Sequence, residues 1–190
     1  MAARRTGRGR EARTATGTVV RVVRDPQAMH ELGRRMGAAL PPGTLVALDG
    51  PLGAGKTVLT QGLADGLGID PREVTSPSFT LCRIHAGPTT LVHIDLYRLA
   101  GEADAHDAGL LEWLDEPRDA LVVVEWFERL GRAPADVRVR IAFAGPGVRR
   151  VSLTVPPAVA TALRRRSPPA DRRESRAETQ RRRSAETRGT

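Results

Sequence analysis

Eight consecutive residues carry most of the chemistry in this chain: Gly50-Pro51-Leu52-Gly53-Ala54-Gly55-Lys56-Thr57. They fit the pattern G-x-x-x-x-G-K-[ST], a loop that holds phosphate. Its glycines let the backbone curl tightly, so that successive N–H groups face one anion. Lys56 adds a mobile full charge, and the Thr57 hydroxyl can reach a magnesium ion. Val58 continues the nucleotide-binding segment. Lys56 is the only lysine; every other Lys/Arg-type side chain is arginine. A compact ammonium suits phosphate as a point charge.

Hydrolysing a nucleotide triphosphate also needs a carboxylate to hold magnesium or its water shell, and a group to orient the attacking water. Two apolar runs end in an acid, Leu91-Val92-His93-Ile94-Asp95 and Val122-Val123-Val124-Glu125. A strand ending this way delivers its carboxylate to the sheet edge where the phosphate loop lies. Either run alone is ordinary, because strand ends meet solvent. Together, downstream of the loop, they mark Asp95 and Glu125 as the catalytic and metal-organising pair. His93 shares a strand face with Asp95; it either orients that carboxylate or is a satisfied core histidine. Thr75-Ser76-Pro77-Ser78-Phe79-Thr80 is a hydroxyl-rich loop pinned by a proline. Residue types alone favour a plain turn, although such loops can sense a γ-phosphate. Tyr97 and Arg98 follow the Asp95 strand. Trp113, Trp126 and Cys82 read as packing residues.

Several elements must position these groups. A strand over 18–23 precedes a helix announced by Asp25 as N-cap and Pro26 at the first turn. Met29, Leu32, Met36 and Leu40 fall on its apolar face, and Pro41-Pro42-Gly43 stops it. Leu45–Leu48 is a buried strand, and Leu59, Leu63 and Leu67 keep helical spacing after the loop. Strands over 79–85 and 91–96 pair as a hairpin across Ala86-Gly87-Pro88. A helix spans 102–114, with Leu110, Leu111 and Leu114 buried. The run 121–124 is the most strand-like. Alternating strands over 137–143 and 151–155 join at Ala144-Gly145-Pro146-Gly147. The expected architecture is α/β: a P-loop NTPase domain whose mixed sheet is flanked by helices.

The charge is uneven. Residues 1–16 hold five arginines and one acid, residues 164–190 ten arginines and four acids, and residues 17–163 hold 15 basic against 17 acidic side chains. The net +8 therefore belongs to the ends, not to the domain. This predicts a disordered basic tail over 1–16, a P-loop ATPase domain over 17–156, and a disordered Arg-rich tail over 157–190. One cysteine excludes an internal disulfide and fits a reducing compartment. No apolar run approaches membrane-spanning length, and the N-terminus lacks a secretory core, so the expectation is a cytoplasmic protein without membrane contact.

These motifs resemble, in order and spacing, the TsaE (YjeE) family: the phosphate loop, then Ser76-Pro77-Ser78-Phe79-Thr80, then His93-Ile94-Asp95-Leu96-Tyr97-Arg98-Leu99, then Val124-Glu125-Trp126. The resemblance covers about residues 18–155. It implies an ATPase that uses ATP and Mg2+, slow alone and faster with TsaD and TsaB. It implies a role in threonylcarbamoyladenosine modification of tRNA beside the anticodon, with tRNA reached indirectly through that complex. Gly50 to Val58 would bind nucleotide; Thr57, Asp95 and Glu125 would organise metal. Ser76 to Thr80 would form one switch, and His93, Tyr97 and Arg98 part of a second. The turn around Asp25 and residues Gly147 to Arg150 would lie near the adenine. Pro51 stands where an acid is usual, Val58 where a second Thr is usual, and Ser78 where Thr is usual. Two other readings compete. A small-molecule P-loop kinase would carry an Arg-bearing lid, which the ordered region lacks. A nucleic-acid-binding module would act through the tails, which contain no aromatic residue to stack on bases.

Overall fold

The computed structural model describes residues 16–165 apart from Glu116, Arg118 and Arg132. Residues 1–15 and 166–190, most of both expected tails, lie outside the described residues. Strands β1 (Gly17–Val23), β2 (Leu45–Asp49), β3 (Cys82–His85), β4 (Thr90–Asp95), β5 (Ala120–Glu125), β6 (Val137–Gly145) and β7 (Val148–Val155) form one sheet in the order β1-β7-β6-β2-β5-β4-β3. The sheet is mixed, as expected. β2 pairs in parallel with β5 and β6, and β4 in parallel with β5. β3 and β7 run against their neighbours. The carboxyl ends of β2, β4 and β5 therefore meet at one edge, with Asp95 level with Glu125.

Alternation along the strands decides which helices cover which face. Val46, Leu48, Val123, Val139, Ile141, Val151 and Leu153 face α1 (Pro26–Gly37), α2 (Lys56–Gly66) and α5 (Pro157–Arg164). Ala47, Val92, Ile94, Val122 and Val124 face α3 (Glu102–Asp107), α4 (Leu111–Asp115) and the short turn Phe127–Leu130. β2, β4 and β5 are covered on both faces, which is why they read as continuous apolar runs.

Helix α1 starts as expected: the Asp25 carboxylate accepts the Ala28 N–H at 2.7 Å, with proline in the first turn. We expect Asp25→Ala to cost about 1 kcal/mol, a drop in Tm of roughly 2–4 °C on thermal melting. Its partner is α2, and the two backbones touch. Gly33 and Gly37 on α1 face Gly62 and Gly66 on α2. A Cβ on any of the four would fall 2.1–2.2 Å from a carbonyl oxygen of the opposite helix.

Four expectations change. Residues 157–164, assigned to the tail, form α5, whose Val159, Ala160 and Leu163 join the core. β3 begins at Cys82 and not Phe79, because Leu81 takes a left-handed φ of 62° and the chain turns there. The single helix over 102–114 is two short ones, since Gly109 at φ 70° breaks the run. Leu110 is buried there, but Leu111 and Leu114 are only partly so. Cys82 is half-buried at the edge of the core rather than within it.

Candidate nucleotide site

The phosphate loop closes β2 and opens α2. Gly50 has φ 149° and lies so close to β6 that a Cβ would meet the Ile141 carbonyl oxygen at 2.4 Å. Gly55, at φ 105°, turns the chain into α2. The free N–H groups of the first helical turn then point out of the loop, where an anion is favoured. The Lys56 ammonium is 5% exposed and donates to the carbonyls of Gly50 at 2.7 Å and Pro51 at 3.1 Å. Burial pulls its pKa below the usual lysine value, while Glu125, Glu128, Asp95 and Asp49 pull it back up.

Pro51 keeps a role here through its carbonyls: one oxygen accepts both Lys56 and the Ala54 N–H. Its missing N–H removes no hydrogen bond of the described loop.

Glu125, at the end of β5, is 3% exposed. Its Oε1 accepts the Thr57 hydroxyl at 3.0 Å and lies 2.9 Å from His93 Nε2. The sequence left His93 either orienting Asp95 or satisfied in the core. In the structure it is buried and meets Glu125, by a diagonal reach between neighbouring parallel strands. His93 is fully buried, and its Nδ1 has no hydrogen-bond partner among the described residues. Donation from Nε2 to the Glu125 carboxylate fits this geometry.

Asp95, 2% exposed, is held by a different set. Its Oδ2 accepts Ser76 at 2.7 Å and Ser78 at 2.9 Å, and its Oδ1 accepts the Tyr97 N–H at 2.9 Å. The loop 75–80 is thus more than a plain turn: its two serines clamp the carboxylate that ends β4. Ser78 needs only its hydroxyl for this contact. Pro77 is buried and anchors the loop, whereas Phe79 is 88% exposed and Thr80 is exposed.

These groups share a cleft of about 570 Å³. Leu52 through Val58 line one wall, Ser76, Ser78 and Phe79 a second, and Asp95, Tyr97, Arg98 and Glu125 the floor and rim. Gly50, Pro51, Pro77, Thr80 and His93 support the cleft without lining it. Arg98 lies 5.3 Å from the Phe79 ring.

Trp126 was read as packing, and it is half-buried against the Ala47–Val92–Ile94–Val122–Val124 side of the core. Its φ of 61° and ψ of 39° end β5 abruptly. The indole also lines the cleft, 3.8 Å from the Lys56 ammonium and 5.0 Å from the Tyr97 ring, a contact that the packing reading did not include. An uncommon left-handed residue next to a buried carboxylate is itself a mark of a site; nothing in the residue type gave it away.

On the outer side of the loop, Arg149 donates to the Gly53 carbonyl at 3.3 Å. The β1–β7 register sets Arg149 opposite Val23, and a Cβ on Gly147 would lie 3.9 Å from the Arg24 carbonyl oxygen. The start of α1 and the β6–β7 turn therefore come together beside the phosphate loop.

The donor set suits magnesium with a triphosphate better than a metal held by protein alone. No cluster of three His, Cys, Asp or Glu side chains able to hold a metal occurs among the described residues. One hydroxyl and two carboxylates face a phosphate loop, and magnesium characteristically takes few protein ligands together with substrate phosphates and water. Among the described residues, no helix is long and apolar enough to cross a membrane.

A mixed parallel sheet with a phosphate loop, a Thr–Glu pair and a second carboxylate at the same edge defines a P-loop nucleotide-binding protein. Residues 23–151 match the family described as "Threonylcarbamoyl adenosine biosynthesis protein TsaE". The chain belongs to the TsaE family. It is 45% identical over 120 residues to the tRNA threonylcarbamoyladenosine biosynthesis protein TsaE of Streptomyces coelicolor, covering 60% of this chain and 76% of the relative. It is 41% identical over 120 residues to the protein of the same name from Treponema pallidum, covering 63% and 87%. The crystal structure of YdiB from Bacillus subtilis superposes with a TM-score of 0.60 at 26% identity, over 78% of this chain and 93% of that one.

Proposed function

We propose that this chain binds ATP with magnesium and hydrolyses it in the formation of threonylcarbamoyladenosine on tRNA, acting with TsaD and TsaB. The observation that carries the reading is the buried relay from Thr57 through Glu125 to His93, set directly beside the phosphate loop. The names of its relatives, tRNA threonylcarbamoyladenosine biosynthesis proteins, support the pathway in this reading.

The chain's own residues divide the work. Backbone N–H groups of residues 53–57 receive the phosphates, and Lys56 leaves the Gly50 and Pro51 carbonyls to meet them. Thr57 and Glu125 would hold the metal, with Asp95 beside them at the end of β4. Bound magnesium supplies positive charge against the phosphate oxygens. His93 fixes the Glu125 carboxylate in one orientation, so that no reorganisation is needed as charge develops. Asp95, released from Ser76 and Ser78, is placed to accept a proton from water. The Trp126 indole walls the cleft and excludes bulk solvent from Lys56.

ATP hydrolysis is measured with the full chain alone and with TsaD and TsaB from the same source. Strong stimulation by the pair supports the reading. Phosphate moving instead to a small acceptor would make the chain a kinase, and no turnover in any mixture would sink the hydrolytic role. Lys56→Ala tests the binding half. Removing a charge-assisted contact to phosphate costs about 1.5–3 kcal/mol, so ATP affinity falls roughly 10- to 150-fold in a titration. Unchanged affinity would remove Lys56 from the site.

A further inference from the structure

One half of the sheet is covered on only one side. On the face away from α1 and α2, strands β1, β7 and β6 present Thr18, Val20 and Val22, then Arg150, Ser152 and Thr154, then Arg138, Arg140 and Ala142. Val20 is 51% and Val22 56% exposed, and Arg140, Ala142 and Arg150 are exposed. Helices α3 and α4 cover the same face only over β2, β5 and β4. The three open strands contain five arginines and not one Asp or Glu. Three of these, Arg138, Arg140 and Arg150, point to the open side. The other two, Arg21 and Arg149, point to the helical side. Arg138 rests 5.2 Å from the Phe127 ring and donates to the Ala133 carbonyl, which sets its guanidinium at the border of the face.

Three acids adjoin the patch: Asp49, Glu128 and the half-buried Asp136, which directly precedes β6 and accepts the Leu45 N–H. Asp49 lies level with Arg140 on β2 and accepts the Glu128 N–H. Burial and the contact with Asp49 hold the Glu128 carboxyl up at about 7, so Asp49 and Glu128 together carry less than two full negative charges near neutrality.

Both ends of the described chain leave at the same corner. Arg164, at the end of α5, donates to the Thr18 carbonyl at 3.1 Å, and a Cβ on Gly17 would meet Ala160 at 2.9 Å. In the sequence, residues 1–15 hold five arginines against one acid, and residues 166–190 hold eight against four. Strand β1, at the border of the open face, thus lies beside both ends of the described chain.

We propose that the open face of β1-β7-β6 is a docking surface for an RNA phosphate backbone, with Arg138, Arg140 and Arg150 as its fixed contacts. The occupant follows from the chemistry. Guanidinium forks match phosphate oxygens. Strands without acids give a one-signed surface. The absence of an exposed aromatic among these nine positions leaves no platform for stacking bases, so the contact reads backbone and not sequence. Arg138 and Arg140 stand two residues apart on β6 and Arg150 pairs with Ala142, two residues further, so the three positions form a row that suits a regular run of phosphates better than the scattered carboxylates of an acidic protein. This inference is independent of the ATPase reading, because none of its residues lines the cleft.

The test uses the full chain and a fluorescently labelled tRNA, with anisotropy read over a series of KCl concentrations. The Arg140→Ser/Arg150→Ser double variant should bind about tenfold more weakly, with a log K against log salt slope shallower by roughly 1.5–2, as the loss of two phosphate contacts requires. Its Tm should equal that of the parent, and Arg140→Ser alone, remote from the cleft lining, should weaken tRNA binding and keep the parental ATP affinity. A second full-length variant, Arg181→Ser/Arg182→Ser/Arg183→Ser, separates the terminal contribution. The proposal fails if the face variant keeps the parental affinity and slope, whether binding is then lost in the terminal variant or the parent binds no tRNA at all. It also fails if phosphatidylcholine–phosphatidylserine vesicles retain the parent through Arg140 and Arg150 while tRNA does not.

Discussion

Replacing Glu125 by glutamine is expected to lower ATP turnover by about 10²–10³-fold while leaving ATP affinity within a few-fold, the pattern of a group that acts mainly in the transition state. The substitution keeps volume and shape at a position only 3% exposed. A glutamine oxygen still accepts the Thr57 hydroxyl and the His93 N–H, so the local geometry survives. What goes is the negative charge at the point where Thr57 meets β5. Phosphate binding rests on other groups, namely the loop N–H groups and Lys56, so affinity is largely spared. Turnover is read under saturating ATP with TsaD and TsaB, and affinity by direct titration of the variant. Normal turnover would take the metal-holding role from Glu125 and leave it to Asp95, the other buried carboxylate at that edge. His93→Ala offers a graded comparison. It leaves the carboxylate in place but frees its orientation, so its loss of turnover should be smaller than that of Glu125→Gln.

How far the sequence could go is shown by these same residues. The phosphate loop was readable because its chemistry is local: spacing of glycines, one ammonium and one hydroxyl within eight positions. Asp95 and Glu125 were readable because a strand that ends in an acid announces its own edge. The partner of His93 was not readable. Two-residue periodicity gives the face of a strand but not its neighbour, and the contact to Glu125 depends on β4 lying beside β5 in register. The packing of Trp126 was legible, but its contact with Lys56 was not, because the chain turns left-handed at that residue and strand alternation no longer says what the ring meets. The serine loop was undervalued because its hydroxyls find Asp95 across 17 and 19 positions of sequence. A helical turn over 158–163 was legible, but it was left in the tail because it is short and runs into arginines, and its apolar side is defined by β1 and α1 beneath it. Both hairpins and the mixed character of the sheet, by contrast, follow from turn residues and alternation that any reader of the chain can find.

The second large effect is structural and lies 10 Å or so of chain rise away from the chemistry, along α2. Gly62→Ala should destabilise the protein by about 2 kcal/mol or more, lowering Tm by roughly 4–8 °C. Helix propensity alone argues the other way, since alanine in a helix is favoured over glycine by about 1 kcal/mol. Contact decides the sign. The new methyl would sit 2.1 Å from the His30 carbonyl oxygen and 2.9 Å from its carbon. These are backbone atoms of α1, so no rotamer change relieves the overlap, and the helices must separate. α1 is fixed to the sheet by the fully buried Met36 and the nearly buried Met29 and Leu32. Separation therefore displaces α2, whose first residues are Lys56 and Thr57. Weakened ATP binding should accompany the lower Tm, which a defect confined to stability would not produce at temperatures well below the transition. Gly33→Ala places its Cβ 3.0 Å from the Gly62 Cα and 2.2 Å from the Leu59 carbonyl. It should cost a similar amount, and the double variant should cost less than the two together, because the first methyl has already opened the gap that the second needs. An unchanged Tm for Gly62→Ala would mean that the helices tolerate a wider separation, and that the glycines at 33, 37, 62 and 66 do not hold the phosphate loop in place.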